Sequence, residues 1–275
     1  MAALFAKTFC KMALQDVARQ YEHPIKSISG ALLTRLWARK SRPLEEFTVA
    51  KLDFSPDDNV LEIGYGRGDG LSAVYERVAS GKGTVFGLER SDYMEETARK
   101  RFILEITEQD KIHLDRAVDL GLLPYPSDFF GAAFHVNAFY FWKQERMPDI
   151  LWELARILRP GAQLLCAVDP EQLKKLYKWE TLTESQSNIL RYASLLESVG
   201  FVNVKVEYHP VRNSEIQLIS AQKSEKTDDE DPDARMKKLE DDIKQFMLSE
   251  FIRQKSTPGA MKQNDSRKPS LDFEQ

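Results

Sequence analysis

The chain is poor in the residues that hold folds together covalently or through metal. Its 275 residues include two cysteines, Cys10 and Cys166, far apart and with no paired spacing. That excludes a disulfide framework and a cysteine-rich zinc site, leaves no metal expected, and makes a reducing compartment the default. The four histidines, His23, His113, His135 and His209, share no spacing that would pair them. No apolar run nears the roughly 20 residues of a membrane-spanning helix, so no membrane role is expected. Net charge is −4, so there is no basic field to draw in nucleic acid. No internal repeat is visible.

What remains is a chain with 42% hydrophobic residues and enough length for one α/β domain with a sizeable core. Met1 to Tyr21 contains Lys7 and Lys11 and no acid before Asp16. This weakly resembles a mitochondrial transit peptide but has little arginine. Phe5, Phe9, Met12, Ala13 and Val17 also fall on one helical face, which favours a structural helix and a cytoplasmic protein. The helical segment should run to about Lys40, with a break at His23-Pro24 because proline pushes its predecessor out of helix. A second helix should follow Pro43, over Leu44 to Leu52.

Strand and helix signals then alternate. Strands are predicted at Asn59–Ile63, Thr84–Leu88, Lys111–Ala117, Ala132–Asn137 and Gln163–Val168. Helices are predicted at Leu71–Ala79, Tyr93–Ile106, Asp149–Leu158 and Ser185–Val199, the last stopped by Gly200. Alternation of this kind implies a parallel sheet covered on both faces. Val202–Tyr208 and Glu215–Gln222 have no helix between them, so they should close the sheet as an antiparallel hairpin. The expected domains are a helical cap over 1–42, an α/β domain over 43–223 and a charged extension over 224–275. In that extension a helix is predicted at about 234–254, its apolar face suited to a protein partner, followed by a polar tail.

The stretch VLEIGYGRGDG, Val60 to Gly70, is the strongest local signal. The first strand of an open parallel sheet must end in a turn where backbone approaches a ligand, and glycine permits that approach. A dinucleotide loop would read GxGxxG, yet the third glycine position is Asp69, and Glu62 adds a second acid that a pyrophosphate would repel. An E-x-G-x-G-x-G order suits a cationic ligand such as S-adenosylmethionine (SAM). Glu89 follows the second strand, where an acid can accept two ribose hydroxyls, and Asp119 follows the third. Each acid alone reads as a solvated loop carboxylate; their placement after successive strands gives them weight together.

These residues resemble the class I SAM-dependent methyltransferases, in the broad type 11 group. The resemblance runs from about Gln20 to Lys223 and includes VFGLERSDYMEETARKR, AVDLGLLPYPSDFFGAAFHVNAFYFW and LWELARILRPGAQLLCAV. It implies a Rossmann-like three-layer α/β sandwich with a seven-stranded, mostly parallel sheet and an antiparallel last strand. It implies SAM as cosubstrate. Glu62, Ile63, Gly64, Tyr65, Gly66 and Gly68 would hold the methionine end, Glu89 the ribose with Arg90 beside it, and Asp119 and Leu120 the adenine. Asn137 would line the passage between cosubstrate and acceptor. Three positions depart from the family's pattern: Gly131 where aspartate is common, Tyr65 where a small residue is common, and Ala162 where a second glycine is common. Tyr65 could narrow the methionine pocket or set its ring near the sulfonium.

In-line methyl transfer needs alignment more than a fixed base. The expected activity is therefore methyl transfer to a small-molecule acceptor. A catalytically inactive SAM-binding module is the alternative, and a dinucleotide oxidoreductase fits less well. Nucleic-acid methylation is disfavoured because Asn137-Ala138-Phe139-Tyr140 lacks the Pro-Pro signature. Substrate-pocket candidates are Asn137, Phe139, Tyr140, Trp142 and His135, although His135 also reads as a packed strand residue. The aromatic run reads equally as an acceptor wall or as packing under the sheet edge. Lys174, Lys175, Tyr177 and Trp179 follow the fifth strand, where such folds often cover substrate.

Overall fold

The computed structural model describes residues 12–14, 16–116, 119–212, 214–225, 241 and 244. The chain forms two compact units, one of residues 1–123 and 127–228, the other of residues 124–126 and 229–275. In the second unit the described part of 229–275 is an Asp241–Lys244 ion pair at 3.7 Å. Asp241 and Lys244 are helical, and the rest of the predicted helix over 234–254 with its partner surface lies outside the described residues, as do Phe5 and Phe9.

The first unit is built on seven strands: β1 (Val60–Ile63), β2 (Val85–Glu89), β3 (Ile112–Arg116), β4 (Phe130–Val136), β5 (Leu158–Val168), β6 (Phe201–Val211) and β7 (Ser214–Lys223). Their order across the sheet is β3-β2-β1-β4-β5-β7-β6. β1 to β5 run parallel, and β7 runs antiparallel to both β5 and β6. The sequence reading of a parallel sheet closed by a hairpin holds. β1 is buried along its whole length, with Val60 and Leu61 at 0% exposure and Ile63 at 2%. Each such side chain contributes about 1.5–3 kcal/mol through burial. Ile63 pairs with Leu88 on one side and His135 on the other, and Val136 pairs with Ala167. That register brings Gly64, Glu89, Asn137 and Asp169 out at one edge.

The α-helices flanking the sheet include α1 (Ile28–Lys51), α2 (Asp69–Val78), α3 (Asp92–Arg101), α4 (Ile103–Thr107), α5 (Met147–Ile157), α6 (Pro170–Lys178), α7 (Glu184–Ser187) and α8 (Leu190–Leu196). Right-handed crossovers put the helices after β1 and β2 on one face and the helix after β4 on the other. Residues 16–22 are helical and residues 23–27 are not, as His23-Pro24 predicts. Ser27 then caps α1, accepting from Gly30 N at 2.9 Å.

Some boundaries differ from the sequence reading. α1 is one helix running through Pro43 rather than two helices meeting there. Proline removes one internal bond, but Gly30 and Thr34 before it and Leu44, Thr48 and Val49 after it are all buried, and that shared packing keeps the helix continuous. The Tyr93–Ile106 helix is divided at Phe102, whose φ/ψ of −108/33 is not helical. The predicted Ser185–Val199 helix is split into α7, α8 and a 3-10 turn because Asn188 is extended and its Oδ1 accepts from Leu190 N at 2.9 Å. β5 starts at Leu158, so Pro160-Gly161 lies in an irregular stretch of strand rather than at a helix end. Among the described residues, no helix is long and apolar enough to cross a membrane.

Candidate functional site

The parallel strands end at a cavity of about 390 Å³. Its floor is the turn between β1 and α2. Gly66 has φ +52, and a Cβ there would meet nothing within 4 Å, so backbone lies bare against the cavity. Gly66 N donates to Glu89 Oε2 at 3.0 Å, while Arg90 N and Ser91 N donate to Oε1 at 2.7 and 3.0 Å. One carboxylate thus ties the glycine turn to the end of β2. Burial pushes the Glu89 carboxyl up, and the Ser91, Gly66 and Arg90 amides pull it back. Gly68, at φ +83, starts α2, but a Cβ there would fall 2.5 Å from the Phe102 ring. It shapes the turn by packing and does not line the cavity, which corrects its expected contact role.

Glu62 is 2% exposed and lies under the first turn of α2. A Cβ on Gly70 would come within 2.6 Å of its Cδ, so the glycine makes room for this carboxylate. Glu62 Oε2 has no hydrogen-bond partner. Burial raises its pKa well above the ordinary carboxylate value, and the charges of Glu45, Asp69 and Glu89 add to that. Tyr65 is 2% exposed, and its ring covers Gly87 of β2, where an added Cβ would meet Cδ1 at 2.5 Å. The ring fills space against the sheet, which explains a bulky residue at this turn, and Tyr65 also lines the cavity.

The far wall comes from β4 and β5. Asn137 has φ +53, and its Oδ1 accepts from Asp169 N at 3.0 Å. Asp169 Oδ1 caps α6 through Glu171 N and Gln172 N, and its Oδ2 lies 3.8 Å from Lys40 Nζ. Phe139–Phe141 form a 3-10 turn, which splits the aromatic run. Phe141 and Trp142 line the cavity, whereas Phe139 and Tyr140 are 0% exposed and belong to the core. Arg191 holds the turn by donating to the Phe139 and Trp142 carbonyls at 3.1 and 3.2 Å. His135 is also 0% exposed and outside the cavity, with Nε2 2.9 Å from the Tyr192 hydroxyl. Burial lowers its pKa to about 3. Phe139, Tyr140 and His135 are therefore corrected from pocket candidates to packing residues.

Of the other expected residues, Ile63, Gly64, Arg90, Leu120, Asn137 and Trp142 line the cavity. Asp119 does not. Both its oxygens receive Arg146 Nη2, at 3.0 and 2.8 Å, and the Gly121 amide and Arg146 hold its pKa down. A strand-end acid looks the same in sequence whether a ligand or an arginine 27 residues away occupies it. α6 turns Lys174, Lys175 and Tyr177 to the exposed side and puts Asp169 and Gln172 on the cavity. Neither Lys174, Lys175, Tyr177 nor Trp179 is a lining residue.

Sequence reasoning expected a helical cap over 1–42 but named none of the residues between 21 and 45 that line the cavity. Tyr21 and Trp37 pack edge to face, with centroids 4.7 Å apart, and Tyr21 lies 6.0 Å from Phe141. Glu45 of α1 also lines the cavity, accepting from Ser41 Oγ at 2.8 Å. Burial pushes its pKa up to about 7, the Asp69 charge adding to this and Ser41, the Gly70 amide and Arg101 opposing it. Trp37 and Glu45 lie on α1 and Tyr21 on the helical stretch before it, and nothing in the sequence says which face of either meets the sheet edge.

The family described as Methyltransferase domain matches residues 60–161. A 2-phytyl-1,4-naphtoquinone methyltransferase of Synechococcus elongatus is 32% identical over 131 residues, 48% of this chain and 51% of that protein. A ubiquinone/menaquinone biosynthesis C-methyltransferase UbiE of Paraburkholderia phytofirmans is 27% identical over 202 residues, 71% of this chain and 75% of that protein. The chain thus spans about half the length of the first curated relatives it matches. Among solved structures, the geranyl diphosphate C-methyltransferase of Streptomyces coelicolor, in complex with Mg2+, geranyl diphosphate and S-adenosyl-L-homocysteine, superposes with a TM-score of 0.55. It shares 14% identity over 76% of this chain and 98% of that one.

Proposed function

We propose that the chain, whose residues 60–161 match a methyltransferase domain, is a class I SAM-dependent methyltransferase that transfers the methyl group of SAM to a small, largely apolar acceptor. One observation carries this reading: a bare glycine turn on the cavity that Glu89 ties in place, over a buried carboxylate, Glu62, that does not line the cavity but keeps Oε2 without a hydrogen-bond partner. These residues fit SAM. An unpaired buried carboxylate is costly until a cation approaches, and SAM is cationic at its methionine end. A pyrophosphate in the same place would face Glu62, Glu89 and Glu45 together.

Glu62 and the Gly64 and Gly66 backbone would hold the methionine end, and Glu89 the ribose hydroxyls. Arg90 and Leu120 would flank the nucleoside. When bound, SAM supplies a sulfonium-activated methyl group. The chain's own residues then have to orient the acceptor and keep water out. Alignment of this kind can supply roughly 7–11 kcal/mol of the barrier. Tyr21, Trp37, Phe141 and Trp142 form an aromatic wall suited to a planar ring, and Asn137 separates that wall from the glycine turn. Residues before 43 serve as the cap that excludes water. Where an acceptor hydroxyl must lose its proton, Asp169, which lines the cavity with Oδ2 3.8 Å from Lys40 Nζ, is the carboxylate to take it. The relatives named for naphthoquinone and ubiquinone/menaquinone methylation support an aromatic or quinol acceptor.

The test is transfer of labelled methyl from SAM to a panel of hydroquinones, phenols and aliphatic amines. Turnover restricted to ring acceptors, and reduced at least tenfold by Trp37→Ala, supports the reading. Turnover confined to amines overturns the acceptor class.

A further inference from the structure

Among the described residues β6 ends the sheet, and no strand pairs with its outer edge. The direction of its backbone groups follows from its neighbours. Ala167 O accepts from Asn137 N at 2.9 Å, so Ala167 faces β4, and Cys166 beside it faces β7. Cys166 pairs with Ile219, which turns Leu218 and Ser220 toward β6. Leu218 pairs with Glu207 and Ser220 with Lys205, so the backbone groups of those two β6 residues are bonded to β7. Val206 and Tyr208 alternate with them and point their N–H and C=O away from the sheet. Ser224 N, donating to Gly200 O at 3.0 Å, keeps the same phase at the start of the strand.

This open edge is short. A register shift between Val202 and Lys205, with Asn203 at φ +55, interrupts the ladder on one side. Pro210 has no N–H and interrupts it on the other. Both features blunt an edge against indiscriminate pairing. Between them, Val206 and Tyr208 are 39% and 58% exposed on one face. Lys205 and Glu207 are exposed on the other, and Lys205 makes no ion pair among the described residues.

We propose that two copies of the chain pair antiparallel through β6 about a two-fold axis at Val206. In that register Val206 exchanges both ladder bonds with its own counterpart. Val204 then stands opposite the second copy's Tyr208, and Lys205 opposite its Glu207, and symmetry repeats each pair. Moving the axis to residue 205 or 207 sets like charges directly opposite. Moving it to Tyr208 puts Pro210 against Val206 and loses two ladder bonds. Moving it to Val204 places the register shift at the axis. One register therefore satisfies both the backbone and the charges, and it closes at two copies. The two sheets become continuous, and the two cavities open in opposite directions. Pairing also steadies the hairpin whose Val211 and Ser214 line the cavity.

Sedimentation of the full chain from about 1 to about 200 µM tests this. A contact of this kind falls at the small end of protein interfaces, so the dissociation constant should be on the order of 10 µM. Lys205→Glu sets acid against acid at both symmetric positions and should weaken the dimer at least about tenfold. Adding Glu207→Lys restores opposite charges and should return the constant to within about threefold of wild type. Amide hydrogen exchange locates the contact. In concentrated wild-type protein the Val206 and Tyr208 amides should exchange at least about tenfold more slowly than in dilute protein, while those of Lys205 and Glu207 stay protected in both. A chain that is monomeric throughout, a dimer indifferent to Lys205→Glu, or a double variant as weak as the single one overturns the proposal. So do Val206 and Tyr208 amides that exchange equally fast at both concentrations. Should Lys205→Glu fail to fold, the exchange measurement on the wild type decides alone.

Discussion

Glu45→Gln should make the ligand-free protein more stable at pH 8 than the wild type. In the folded chain the Glu45 carboxyl ionises near 7, against 4.5 for the ordinary group. Folding therefore favours its neutral form. The stability that form contributes is full below pH 4.5 and is lost as pH rises through about 7. Each unit of difference is worth 1.36 kcal/mol, which sets an upper bound near 3.4 kcal/mol. Glu45 lines the cavity and is half-buried, so solvent reduces this to about 1–2 kcal/mol. Glutamine keeps the shape and the acceptor for Ser41 Oγ but cannot ionise. Urea unfolding of both proteins without ligand should give equal midpoints near pH 4.5 and a gap that opens to about 1–2 kcal/mol by pH 8. A variant less stable than wild type at pH 8 would refute the reasoning, because it would mean that Arg101 and the α2 amides already compensate the charge. Stability sacrificed at a binding site is a common exchange.

Other outcomes follow from the same geometry. Glu89→Gln should weaken SAM by about ten- to a hundredfold in titration calorimetry, since it loses a charge-assisted bond worth about 1.5–3 kcal/mol and turns an amide toward Gly66 N. Unchanged affinity would remove Glu89 from the site. Gly87→Ala drives a methyl group to 2.5 Å from Tyr65 Cδ1; with little room to relax, it should cost about 1–3 kcal/mol in urea unfolding. A neutral effect would mean that the ring is not confined. Tyr192→Phe leaves His135 Nε2 without its partner and should cost about 1–2 kcal/mol, with SAM affinity unchanged. A loss of affinity there would return His135 to the binding machinery.

The parts legible from sequence are those encoded locally. A buried four-residue strand, a glycine turn and an acid at the next strand end are set by short-range chemistry, and Glu62, Gly66 and Glu89 meet where that chemistry places them. Asp119 obeyed the same rule and was misleading, because its partner Arg146 arrives through tertiary packing. The aromatic run was ambiguous for a geometric reason: a 3-10 turn sends Phe139 and Tyr140 inward and leaves Phe141 and Trp142 on the cavity. Pro43 suggested a helix end, yet burial on both sides outweighed one missing hydrogen bond. Trp37 and Glu45 could not be placed, since their role depends on which face of α1 meets the sheet edge, and Tyr21 could not, since it reaches the cavity from the segment before the His23-Pro24 break.

The central claim is that a cationic sulfonium nucleoside binds over the carboxyl ends of β1 and β2. Titration of the purified chain with SAM and, separately, with NADH tests it most directly. The account predicts one SAM bound per chain and no NADH heat; saturable NADH binding, or silence with SAM, would contradict it.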